Sequence, residues 1–152
     1  MRGTLWFEDF AVGQRFATRG ATLSRAQILD FAWRFDPQPF HIDAEAAQAS
    51  PYGGLIASGF HTLLLAFRLV YQEGILDASL GSPGAEDIRW LRPVRPDDTL
   101  RVEAEVVAVR PSRSRSDRGT VTIAYQVSNQ RGEVVMRFRI HHLIARRKAD
   151  PA

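Results

Sequence analysis

Ser58–Gly74, SGFHTLLLAFRLVYQEG, is the stretch on which the fold turns. Leu63, Leu64, Leu65, Ala66, Phe67, Leu69 and Val70 cover most of a helical wheel and leave His61, Arg68 and Gln72 as a polar stripe. A helix apolar almost all round has to be surrounded by protein, and Gly74 is a natural stop. Downstream the period changes. From about Ile88 onward, VEAEVVAV (Val102–Val109), TVTIAYQV (Thr120–Val127) and EVVMRFRIHHLI (Glu133–Ile144) alternate as strands do, divided by RPSRSRSDRG and SNQRG. Connections this short make antiparallel neighbours. The expectation is an α+β fold, an antiparallel sheet wrapped around one long central helix, with LWFEDFAVGQRFATRGATL adding a further strand or two.

Upstream of the apolar helix, Ser24-Arg-Ala-Gln27 is a capping box, and Ile28, Phe31, Ala32 and Phe35 follow at helical spacing. Pro37 and Pro39 end that helix and deliver Asp36 to a stiff loop. Asp43 is suited to cap a short helix, AEAAQA. Asp36 and His41 therefore project from a restricted segment, where a carboxylate beside an imidazole holds a water and moves protons in both directions near neutral pH. A turn-forming acid and a satisfied core histidine are the structural alternatives. Gly59 opens the long helix, where an unpaired amide at the positive end of the dipole suits a developing oxyanion, although tight packing also explains a glycine there.

The 152 residues are 45% hydrophobic and 24% charged, enough for one domain with a real core. The absence of cysteine rules out disulfides and thiolate metal sites. Acids in MRGTLWFEDF, and no apolar run near the roughly 20 residues that span a bilayer, point to a cytoplasmic protein without membrane association. Seventeen acids are interleaved with 20 bases, nearly all arginine, for a formal charge of +3; that balance suits an anionic small ligand at least as well as nucleic acid. The basic run Arg110–Arg118 reads as a solvated hairpin loop, with phosphate binding as the second reading.

The run Phe35-Asp-Pro-Gln-Pro-Phe-His-Ile-Asp43, then Ala46-Ala47 and Gly54-Leu-Ile-Ala-Ser-Gly59, resembles the signature of MaoC-like dehydratases, the (R)-specific enoyl-CoA hydratase group of the hotdog fold. FEDFAVGQRF and IRWLRPVRPDDTL extend the likeness over most of the chain, so residues 1–148 are expected to form one such domain and 149–152 a frayed tail. The resemblance implies Asp36 and His41 as the catalytic pair that holds a water, Gly59 as the amide donor to the thioester oxygen, and Ser58, Gln38 and Phe40 as further substrate-binding residues. It also implies reversible hydration of a 2-enoyl-CoA, no metal or redox cofactor, coenzyme A only as part of the substrate, and a homodimer or an assembly of dimers; no nucleic acid partner is expected. Three positions depart from the pattern: Gln38 for asparagine, Phe35 for glycine, and Phe67 where some hydratases have serine. Thioester hydrolysis and non-catalytic acyl-CoA binding are the rival readings.

A metal site built from Asp36, His41, Asp43 and His61 is disfavoured, since Asp43 is better used as a cap. His61 reads as a structural hydrogen-bonding residue, and His141 and His142 as structural residues on opposite strand faces. Trp90, Arg92 and Arg95 read as core packing and surface charge ahead of ligand contacts, and Trp6 and Trp33 as core or dimer-interface residues.

Overall fold

A computed structural model describes residues 3–150; the last two residues of the expected tail lie outside the described residues. A 3-10 turn, Phe7–Asp9, leads into β1 (Arg15–Ala17) and β2 (Ala21–Thr22), followed by helices α1 (Arg25–Phe35), α2 (Pro39–Ile42), α3 (Ala44–Ala49) and α4 (Gly59–Gln72). Four long strands complete the chain: β3 (Ser79–Trp90), β4 (Thr99–Pro111), β5 (Arg118–Ser128) and β6 (Val134–Ala145). The sheet runs β1-β4-β5-β6-β3, antiparallel throughout, and β2 adds to β4. This is the expected α+β hotdog arrangement, with α4 as the filling.

Alternation makes the core. Val102, Ala104 and Val106 of β4, Val121, Ile123, Tyr125 and Val127 of β5, and Met136, Phe138, Ile140 and Ile144 of β6 are buried in one cluster with Ala66, Leu69 and Val70 of α4. Burial of such side chains stabilises the fold by about 1.5–3 kcal/mol each before entropy is subtracted. The N-terminal segment closes one end. The Phe7 ring sits directly against Gly119, where any side chain would collide with it, and the Arg146 guanidinium stands over the ring, 5.0 Å from its centre. Arg147 donates to Asp9 at 2.7 and 2.9 Å, and its amide donates to Glu8 at 3.0 Å.

The Ser24 capping box and the Asp43 cap form as expected. Four expectations need correction. His41 is not in a loop: Pro39, with φ preset and no amide to satisfy, starts the one-turn helix α2. The run of long strands begins at Ser79 rather than near Ile88: β3 is an edge strand paired with β6 alone and tolerates Gly81, Pro83 and Gly84 there. The chain does not surround α4, for Phe60 and Leu64 remain 57% and 55% exposed along one side of it. Trp33 is exposed too, so it is not a core residue. Among the described residues no helix is long and apolar enough to cross a membrane. Between β4 and β5 the basic run forms an exposed hairpin loop, residues 112–117.

Candidate active site

Asp36 is the C-cap of α1, and its amide donates to the Ala32 carbonyl at 2.9 Å. Its carboxylate is gripped from two sides: Gln38 Nε2 donates to Oδ1 at 2.8 Å and Ser58 Oγ donates to Oδ2 at 2.7 Å. His41 Nε2 stands 3.4 Å from Oδ2, with the imidazole side chain 5% and the carboxylate side chain 13% exposed. Burial by itself would raise the Asp36 carboxyl. The hydrogen bonds from Ser58 and Gln38, with the neighbouring imidazole, outweigh it and hold the group below the ordinary aspartate value.

The tautomer of His41 follows from its other nitrogen. Nδ1 lies 2.7 Å from the Ile56 carbonyl, which only accepts, so Nδ1 carries the hydrogen and donates. In the neutral ring Nε2 is therefore bare and faces the carboxylate oxygen. Two acceptors at that distance repel unless a proton lies between them, either their own or one from a third molecule. Phe40 packs edge-on against the imidazole at 4.6 Å and fixes the ring from its other side.

Gly59 is the first residue of α4, so its amide has no carbonyl one turn back to bond. A Cβ on Gly59 would sit 2.4 Å from the Trp90 indole nitrogen. The glycine is thus required by close approach of the indole. One cavity of about 460 Å3 joins Asp36, His41 and Gly59, with Gln38 and Phe40 in its wall. Ser58, by contrast, is fully buried. Its hydroxyl donates to Asp36 and accepts from the Phe60 amide at 3.2 Å. In this structure it bonds the carboxylate and caps the helix, and it does not line the cavity where substrate contact was expected of it.

Of the other cavity residues, Tyr52 and Phe60 were not singled out in the sequence, and Trp90 and Arg92 had ligand contact only as their second reading. Tyr52, Phe60 and Trp90 line the cavity, and Trp90, expected to pack in the core, is 47% exposed. Arg92 reaches the same wall and pairs with Glu133 at 3.1 Å. The tryptophan and arginine were visible at the end of a strand, but nothing local tied that strand end to a glycine 31 residues earlier. Phe35 is exposed beside Phe31, and Phe67 packs near Tyr71 and His142; neither lines the cavity. His61 stacks on Phe31 at 4.4 Å, with Nδ1 buried and unpartnered in place of the expected hydrogen bond, and its burial lowers its pKa. His141 and His142 do point to opposite faces, bonded to Thr122 and Tyr125 respectively.

Residues 9–129 match the family described as MaoC like domain, and the chain belongs to that family. A MaoC-like dehydratase from Rhodospirillum rubrum has a crystal structure 45% identical in sequence, covering 95% of this chain and 99% of its own, with a TM-score of 0.88. The uncharacterized protein YdeM of Bacillus subtilis is 34% identical over 140 residues, 91% of this chain and 98% of its own. A 3-hydroxybutyryl-CoA dehydratase of Methylorubrum extorquens is 30% identical over 117 residues, 74% of this chain and 70% of its own.

Proposed function

We propose that this protein is a hydro-lyase that reversibly adds water to a 2-enoyl-CoA thioester to give a 3-hydroxyacyl-CoA. The observation that carries the reading is the single cavity in which the Asp36–His41 pair faces the unpaired amide of Gly59. A water between Oδ2 and Nε2 gives its oxygen to the β-carbon and one proton to the pair. The pair returns one proton to the α-carbon and ends as it began. Charge builds on the thioester oxygen in between, and the Gly59 amide at the positive end of α4 is placed to stabilise it. Phe40, Tyr52, Phe60 and Trp90 give the acyl group an aromatic wall. Arg92, the arginine of that wall among the described residues, is suited to a coenzyme A phosphate. The exposed row of Phe60 and Leu64 on α4 supports a homodimer in which a second copy covers that face.

The test is loss of the conjugated-thioester absorbance when purified protein meets short, branched, aromatic and long enoyl-CoAs. At least one should turn over, and Asp36→Asn and His41→Ala should each lower kcat by roughly a hundredfold or more. An unchanged absorbance across the panel, with His41→Ala indistinguishable from wild type, removes the proposal. Release of free thiol from acyl-CoA would favour hydrolysis instead.

A further inference from the structure

The outer face of the sheet, turned away from α4, carries charges that the proposed reaction does not use. In one register row stand Arg15 of β1, Glu105 of β4, Ala124 of β5, Arg139 of β6 and Glu86 of β3. The next row is Ala17, Glu103, Gln126, Arg137 and Arg89. With β5 as midline, the first row reads plus, minus, neutral, plus, minus, so each charge has its opposite at the mirrored position. In the second row Glu103 mirrors Arg137, and no like charges mirror each other. All of these except Glu86 and Arg89 line a groove of about 610 Å3, which Asp87 of β3 also borders.

Arg15 pairs with Glu105 at 3.5 Å, and Glu86 lies 3.2 Å from His141. Among the described residues Glu103, Arg137 and Arg139 make no ion pair. The acids of β4 and the arginines of β6 are two strand spacings apart, roughly 9–10 Å, too far to pair across β5. They are, however, correctly placed to pair with the same face of another molecule.

We propose that this face is a contact between two copies of the chain, packed sheet to sheet about a two-fold axis running along β5. That rotation exchanges the two sides of β5. It sets Glu105 against the partner's Arg139, Glu103 against the partner's Arg137, and Arg15 against the partner's Glu86. Ala124 and Ala17 leave room for close approach, the two β5 strands run parallel across the axis, and a sheet separation of about 10 Å keeps facing rows within reach of long side chains. An anionic polymer would meet Glu103 and Glu105 between the arginines, whereas a second copy matches both columns. The contact is separate from the α4 face, so both together give assemblies larger than a dimer.

The full-length protein is weighed by sedimentation at about 50 mM and about 500 mM salt, with the dissociation constant expected to rise roughly tenfold or more at high salt, where exposed pairs are screened. Arg137→Glu/Arg139→Glu and Glu103→Arg/Glu105→Arg should each abolish the larger species. Their fourfold combination restores the mirrored pattern and should regain it. A mixture of the two double variants should also associate, which tests the pairing even if the fourfold variant is unstable. Identical masses for wild type and both double variants at both salt concentrations, or a mixture that stays dissociated, would overturn the proposal. The readout is mass, so it stands or fails independently of enoyl-CoA turnover.

Discussion

At Asp36, burial and hydrogen bonding compete, and the bonds win. Ser58→Ala removes the shorter of the two side-chain donors and leaves burial in place, so the carboxyl should titrate higher and the acid limb of the pH–rate profile should move to higher pH. A shift is the expected outcome, and an unmoved limb at reduced kcat would mean that Ser58 serves only as a helix cap. The folded carboxyl lies below its unfolded value, so its contribution to stability is full above the unfolded value and is lost as pH falls through the folded one. Loss of the buried bond should also cost about 1–3 kcal/mol, read from denaturant midpoints. Asp36, His41 and Gly59 were legible because their chemistry and spacing sit in one short stretch. The work of Ser58 was not, since its partner lies 22 residues away and only the folded chain aims the hydroxyl.

Among the elements, α4 and β3 meet at Gly59 and Trp90. Gly59→Ala should displace the half-exposed indole from the cavity wall and lower kcat roughly tenfold or more, with a stability change of about 1 kcal/mol. In a Trp90→Ala background the same change should cost less, and additive losses in the double-mutant cycle would count against direct collision. In β6, His142 is buried against the Tyr125 hydroxyl at 2.7 Å, and burial, helped by the neighbouring His141, lowers its pKa to about 4. Its folded value lies below the unfolded one of about 6.5, so stability is full above pH ~6.5 and declines toward pH ~4 by about 3 kcal/mol. His142→Gln should flatten that decline in melts recorded across the range, and an equal slope would reassign it. The three C-terminal strands were legible from alternation. β3 was not, because SLGSPGAEDIRW has two glycines, a proline and an almost wholly exposed pattern, and only its pairing with β6 makes it a strand.

For the whole molecule, the wrapped-helix architecture is legible in one apolar segment and alternating strands, yet α4 is less enclosed than its composition implies. Apolarity all round a helix says that every side will be covered; it does not say that one chain supplies all the cover. Leu64→Arg should therefore dissociate the proposed α4-face dimer, measured as mass in solution, without lowering the melting temperature of the monomer by more than a few degrees. An unaltered mass would place that face in contact with something other than a second copy.

Phe7 rests on Gly119, while Glu8 and Asp9 are held by Arg147. During synthesis Phe7, Glu8 and Asp9 thus emerge long before Gly119 and Arg147 exist to seat them, and they must wait until Arg147 has left the ribosome. Closure of that end becomes a late event. Ribosome-stalled chains cut short before Arg146 should leave Phe7–Asp9 open to protease, and chains whose emerged part extends past Arg147 should protect it.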